Sequence, residues 1–313
     1  MATNFPNGVT SQGIPLVPGV PLTTGTYLFV HSGVGADTNS GRDKQHPLAT
    51  TAAAILKCTA NKGDVILLMP GHAETLTTAS NINLSVAGVQ IYGLGTGLLR
   101  PTYTYGAAAA TITVSADNCG VSGVHHIANF LNVASAYTTS TAKDFTLQNS
   151  SFVDNSSSLN FLCIATTNAT NNAADGLSVV GNYVYGLAAT DGAVVSVLGN
   201  LLRLNVSYNN VDKPGVTNDA GHLITMSSKV CGGVRIYGNT LTCVALTSQA
   251  AGVLFTGSST TSSGLCADNY VVVTDTITAI LATTGTKISF CQNFMSGAVD
   301  KSGTLIPAAD DPS

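Results

Sequence analysis

From residue 145 onward the chain repeats one short pattern: apolar, any, apolar, two free positions, Asn, any, apolar. Leu177-Ser178-Val179 leads to Asn182 and Val184, and Leu204-Asn205-Val206 leads to Asn209 and Val211. Val234-Arg235-Ile236 leads to Asn239 and Leu241, and Ile288-Ser289-Phe290 to Asn293 and Met295. Two looser copies are one residue shorter before the Asn: Leu265-Cys266-Ala267 with Asn269 and Val271, and Phe145-Thr146-Leu147 with Asn149 and Phe152. The six Asn positions are 33, 27, 30, 30 and 24 residues apart. Strand-type alternation recurring at that spacing predicts a solenoid. Helical repeats would need apolar spacings of three and four, and leucine-rich repeats a Leu ladder; neither is present. The prediction is an all-β chain folded as a parallel β-helix, each coil giving two or three short strands stacked about 4.8 Å from the next. Asn149, Asn182, Asn209, Asn239, Asn269 and Asn293 are expected at the turns, in left-handed conformation and hydrogen-bonded to their stacked equivalents.

Upstream the pattern changes. Tyr27-Leu28-Phe29-Val30 predicts a strand, and 33–41 a turn-rich loop. Asp37, Asn39 and Gly41 imitate the front of a calcium loop, but Leu48 occupies the position that needs a bidentate acid, so Asx turns are expected instead. Residues 47–60 predict the one helix, with Pro47 in its first turn and Leu48, Ala52, Ile55 and Leu56 on one face. Its expected task is to cap the open end of the stack. Residues 1–36 carry no Asp, Glu, Lys or Arg and hold four prolines. Their apolar side chains suggest an extended arm (1–26) that orders on a neighbouring subunit. The β-helix is expected over 27–300 and a tail over 301–313.

Composition narrows the picture further. Charged residues are 9% of the chain, against roughly 25% in an average domain. A net charge of -4, with twelve scattered Lys and Arg, excludes an electrostatic nucleic-acid binder. Fifteen of the sixteen acids are Asp and one is Glu74, which disfavours exposed helix. The seven Cys show no paired spacing and are expected as free thiols packed like small hydrophobes. No membrane-length apolar stretch is present. The opening residues lack a basic region followed by an apolar run, so synthesis in a bacterial host cytoplasm is expected.

The stretch from Tyr27-Leu28-Phe29-Val30 through Gly35-Ala36-Asp37-Thr38-Asn39-Ser40-Gly41, Pro47-Leu48-Ala49-Thr50 and Gly63-Asp64-Val65-Ile66 resembles the start of pectate-lyase-like right-handed β-helices. Pro70-Gly71-His72-Ala73-Glu74 and Gly93-Leu94-Gly95-Thr96-Gly97 extend the likeness. The combination is similar to β-helix proteins of tailed bacteriophages, and residues 1–10 look like the start of phage head-associated structural proteins. The resemblance implies a right-handed single-stranded parallel β-helix in a virion.

Such folds host polysaccharide lyases and hydrolases, so the resemblance raises the question of catalytic groups. Paired carboxylates would have to come from adjacent coils. Asp144, Asp154, Asp175, Asp191, Asp212, Asp219, Asp268 and Asp275 form no pair in register, and turn capping is expected of them. Asn218-Asp219, Gly221-His222-Leu223 and Arg235-Ile236-Tyr237 only partly match the polygalacturonase pattern. Adjacent His125 and His126 point to opposite faces of a strand, and His72 with Glu74 reads as a local hydrogen-bonded turn. The expectation is therefore no catalytic residue, no metal, no cofactor and no enzyme. The expected function is a capsid decoration (cement) protein on the outer capsid surface. It would bind the major capsid protein through Phe5, Pro6, Asn7, Val9, Ile14, Leu16 and Val17 and associate with itself, as a homotrimer, without nucleic acid or membrane. The alternative is a tailspike or tail-fibre module binding or cleaving host polysaccharide. It predicts aromatic and acidic residues along one groove, which the absence of Trp weakens.

Overall fold

In the computed structural model the described residues are 10–11, 14–15, 22–190, 192–215, 222–243, 255–258, 261–277 and 287–298. Three parallel sheets of ten, nine and seven strands run the length of the molecule, and in each the strands follow one another in chain order. That order is the mark of a β-helix: the chain visits sheet one, sheet two and sheet three, then climbs one coil. Inward side chains stack into columns. Ile66, Ile91, Val121, Leu147, Val179, Val206, Ile236 and Cys266 form one on the first sheet. Val184, Val211, Leu241 and Val271 continue another on the second. The repeat in the sequence is thus the passage from the first sheet, through a tight corner, to the second.

That corner holds the asparagine ladder. The backbone N–H and side-chain Nδ2 of Asn182 both donate to Asn209 Oδ1, at 3.0 and 3.1 Å. The arrangement repeats from Asn209 to Asn239, from Asn239 to Asn269 and from Asn269 to Asn293. Each Nδ2 from Asn182 to Asn269 also donates to a carbonyl of the coil below, such as Val179 O or Val206 O. All five asparagines are buried. The left-handed residue is not the ladder Asn but the one before it: Gly181, Tyr208, Gly238, Asp268 and Gln292 have φ between 52° and 65°.

Asn149 departs from the expectation. It occupies the left-handed position (φ 49°), and Ser150 takes the ladder place, donating its N–H to Asn182 Oδ1 at 3.0 Å. Read one residue further along, the 145–152 copy has full length. So does the 264–271 copy, where the inward residues are Gly264 and Cys266, in register with Val234 and Ile236. Small inward residues hid the register of 264–271, and a serine in the ladder place hid that of 145–152.

The helix is shorter than expected, Thr51–Lys57. Thr50 is its N-cap, accepting from Ala53 N. Pro47 lies outside it because Leu48 is held in a parallel bridge to Val30. The buried face is Thr51, Ala54 and Ile55, while Leu56 is 83% exposed. The helix packs on the strands Tyr27–Val30, Val65–Leu68 and Ala79–Leu84. The edge of the first strand is satisfied by 41–48 instead: Phe29 N donates to Gly41 O, and Leu48 N to Phe29 O. Asp37 fastens this segment, accepting from Ala49 N, Thr50 N and Thr50 Oγ1 at 2.9–3.0 Å, which is Asx chemistry. All seven cysteines are free, five of them buried.

Of the arm residues, Phe5, Pro6, Asn7, Val9, Leu16 and Val17 lie outside the described residues. Ile14 belongs by its backbone to a small antiparallel pair, Thr10–Ser11 with Ile14–Pro15. The 301–313 tail lies outside as well.

Candidate functional site

Three clusters of titratable side chains occupy the first half of the solenoid. At its N-terminal end, alternation along Ala73–Leu76 turns Glu74 towards Tyr103 of the next coil. Glu74 Oε1 accepts from His72 Nε2 at 2.8 Å and from Thr51 N at 2.8 Å and Oγ1 at 2.5 Å. Thr51 Oγ1 also contacts the Tyr103 hydroxyl at 2.8 Å. Ser32 N donates to His72 Nδ1, which leaves Nε2 as the protonated ring nitrogen facing Glu74. The network joins the helix, the first loop and two coils. His72 has no exposed side-chain surface, so the cluster fastens structure.

His125 and His126 diverge, as strand alternation requires. His126 lies fully buried, stacked on Phe152 at 4.4 Å and 6°. The Tyr105 hydroxyl is 3.2 Å from its Nδ1 and the Tyr137 hydroxyl 3.3 Å from its Nε2. Because Tyr105 donates to Ala136 O, the consistent arrangement is Nδ1–H donating to Tyr105 and Tyr137 donating to Nε2. Burial, then the nearby His125 and Arg100, pushes the His126 imidazole well below its usual range.

His125 faces outward, with Nδ1 2.6 Å from Ser151 Oγ. Arg100 reaches the same hydroxyl at 3.0 Å and donates to Gly123 O at 3.2 Å and Asn149 O at 2.6 Å. Burial and this guanidinium lower the His125 pKa. A neutral imidazole beside a hydroxyl and a cation can accept a proton. Ser151 itself is buried, however, and all three Arg100 nitrogens are engaged by neutral acceptors.

Among the described residues the carboxylates are engaged in ion pairing and loop closure, and Asp144 and Asp175 both act on Arg203. Asp144 pairs with Arg203 at 2.7 Å, and Asp175 accepts from Leu202 N. Asp154 accepts from Phe161, Leu187 and Ala188 N–H groups, closing loops on two coils. Asp191 and Asp219 lie outside the described residues, as do Asn218 and Gly221. His222 precedes a strand of the third sheet and Arg235 lies in the first, so the polygalacturonase-like residues are divided between faces. Among the described residues no group of three His, Cys, Asp or Glu could hold a metal ion. No described helix is long and apolar enough to cross a membrane.

Aromatic residues line the outer second sheet and its corner: Tyr183, Tyr208, Tyr270 and Phe294 are exposed. Neighbouring side chains stack on part of this aromatic strip. Tyr270 and Phe294 stack at 4.8 Å and 4°, and Arg235 lies over Tyr237 at 5.1 Å. Sequence reasoning missed a different feature. Leu22, Val34, Leu56, Leu98 and Leu99, all in the first hundred residues, are exposed to solvent, Leu98 fully. Leu98 and Leu99 follow a Gly-rich run, a composition that signals a surface loop.

No family model matches the chain, and no curated protein matches it. Among solved structures it is similar to the crystal structure of pectate lyase Pel9A, with a TM-score of 0.45 and 13% identity over 93% of this chain and 84% of that one. It is also similar to a rhamnogalacturonan lyase, with a TM-score of 0.37 and 11% identity over 92% and 91%. The three parallel sheets by themselves make the molecule a parallel β-helix. The expectation that the chain is no enzyme is corrected by these comparisons: both similar chains are named as polysaccharide lyases. At such identity the likeness is one of fold, and neither activity is transferred to this chain.

Proposed function

We propose that the chain is a structural component of a tailed-phage virion, a capsid decoration protein that docks on the shell through the N-terminal end of its solenoid. One observation carries this reading. A solenoid end that stays in water is polar, yet here Leu22, Val34, Leu56, Leu98 and Leu99 face outward. The first 36 residues, Leu22 and Val34 among them, carry no formal charge. Apolar end and uncharged arm together would spread over several major capsid protein subunits with little charge desolvation. The phage assignment itself rests on the resemblance of residues 1–10 and 27–100.

The test is cryo-electron microscopy of intact virions with copy number per particle. Many copies over the icosahedral shell, with the Leu98 end facing it, are expected. A few copies confined to the tail would overturn the reading and favour the polysaccharide-binding alternative, for which the acidic and aromatic neighbours Asp212 and Tyr183 are the specific support. Leu56→Ser with Leu98→Ser should lower shell occupancy while leaving the fold intact, because both side chains are exposed.

A further inference from the structure

Lys213 is the one buried Lys or Arg among the described residues, 3% exposed, and lysine is almost never found inside a protein without a counter-charge. It ends the strand Asn210–Lys213 on the inward side of the second sheet, opposite Cys243 of the coil above. In the coil below, Tyr185 stands opposite Asp212, so Gly186 comes next, opposite Lys213. One coil lower again, Val153 stands opposite Tyr185, which puts Asp154 under Gly186. Asp154 is 4% exposed. Carboxylate and ammonium thus belong to one inward column, two coils or about 10 Å apart, with a residue that has no side chain between them. That span is within the combined reach of the two side chains. They share a cavity of about 10 Å³, space for one water molecule, whose walls include Phe152, Phe161 and Val184.

We infer that Lys213 and Asp154 condense to an isopeptide bond, a covalent tie across three coils. The surrounding hydrogen bonds fit both the reaction and its product. Leu187 and Ala188 donate backbone N–H groups to Asp154 Oδ2 at 2.9 and 3.3 Å, and so hold the oxygen on which negative charge develops when Cγ is attacked. Asp154 Oδ1, which accepts from Phe161 N at 3.2 Å, is the oxygen that leaves. Lys213 Nζ donates to Gly192 O. An ammonium carries three N–H donors and a secondary amide one, and that one keeps Gly192 O as its acceptor. In the reaction a proton passes from the ammonium to Oδ1, and the neutral amine attacks Cγ. The Cγ–Nζ bond forms and the Cγ–Oδ1 bond breaks. Oδ1 departs as water with its own proton and one from the nitrogen, so no co-reactant is needed. Two buried charges become one neutral amide in an apolar cavity. The bond lies inside the solenoid and is independent of what the molecule docks on.

Intact-mass spectrometry of the purified full chain, denatured and reduced, tests this bond. The wild type should weigh one water molecule less than its sequence requires. Lys213→Met should have the full mass of its own sequence, which separates the bond from cyclisation of an aspartate onto its own backbone. Digestion of the wild type should release a branched peptide joining the segment that holds Asp154 to the segment that holds Lys213, identified by tandem mass spectrometry. That reading stands whether or not the variant folds. A wild type of full sequence mass overturns the inference. So does a missing water that persists in Lys213→Met, or a digest in which Asp154 and Lys213 appear in separate, unmodified peptides.

Discussion

The corner between the first and second sheets is built in two ways, and the difference separates the halves of the molecule. From Asn182 to Asn293 the corner is a buried ladder of identical side chains, each satisfying the next. Below Ser150 the ladder stops, and one side chain takes its place. Arg100 reaches across from its loop and donates to the carbonyls of Gly123 and Asn149, both left-handed turn residues. The interior changes at the same level. Aliphatic residues line the second sheet beyond Phe152, whereas Tyr103, His126 and Phe152 fill it before. A repeated side chain gives a solenoid repeated support; a long one bridges coils whose sequences no longer agree.

The comparison is broken hardest at the centre of the ladder. Asn239→Ala removes the acceptor for both Asn209 donors and the donor for Val206 O, all buried. Two orphaned backbone groups at about 1–3 kcal/mol each imply a loss of about 4 kcal/mol, readable in a denaturant midpoint. A loss below about 1 kcal/mol would mean that water enters the corner and the ladder is not what closes it.

His126→Leu tests the other half. It leaves the Tyr137 hydroxyl without its ring acceptor and removes the stack on Phe152, for an expected cost of about 2 kcal/mol. The same residue gives a pH signature. The folded protein holds His126 neutral, while the unfolded chain takes up a proton near pH 6.5. Below that pH the unfolded state binds more protons, so stability falls with acidification, by up to about 1.4 kcal/mol per pH unit from this group. His125 contributes in the same direction. Denaturation curves between pH 7 and 5 should flatten in His126→Leu, and an unchanged slope would remove His126 as its source.

These two halves were not equally legible in the sequence. The ladder half was, because Val179, Val206 and Ile236 alternate with polar residues and an Asn follows each at a fixed offset. The third sheet escaped because its inward column mixes Ile112, Tyr137, Ala165, Val195 and Ile224, sizes that share no pattern. The helix start was misplaced because Leu48 fits a helical face equally well, and only its bridge to Val30 excludes it. The divergence of His125 and His126 follows from alternation alone. That Arg100 would reach residues 23 to 51 positions away could not be read locally. Neither could the exposure of Leu56, which depends on where the helix lies against the first coil.

Arg100→Ala should cost less than either earlier change, about 1.5 kcal/mol, because the side chain is only half-buried and water can reach part of what it leaves. The effect should be local, with faster hydrogen exchange in 120–128 and 146–154 and none in 234–243. Exchange spreading into the ladder coils would show that the two halves unfold as one unit rather than as neighbouring coils.

The smallest expected effect is the sharpest, since it concerns one asparagine beside the ladder and outside it. Asn149 sits at φ 49°, where Asn is tolerated and an ordinary side chain costs roughly 1 kcal/mol more. Its backbone carbonyl, not its amide group, receives Arg100. Asn149→Ala should therefore destabilise by about 1 kcal/mol and Asn149→Gly by almost nothing, since glycine takes positive φ freely. Ladder positions respond in the opposite sense: Asn182→Gly would remove the same buried hydrogen bonds as Asn182→Ala and rescue nothing. If Asn149→Gly proves as costly as Asn149→Ala, the Asn149 amide carries the corner, and the ladder in this coil rests on Asn149 as well as on Ser150.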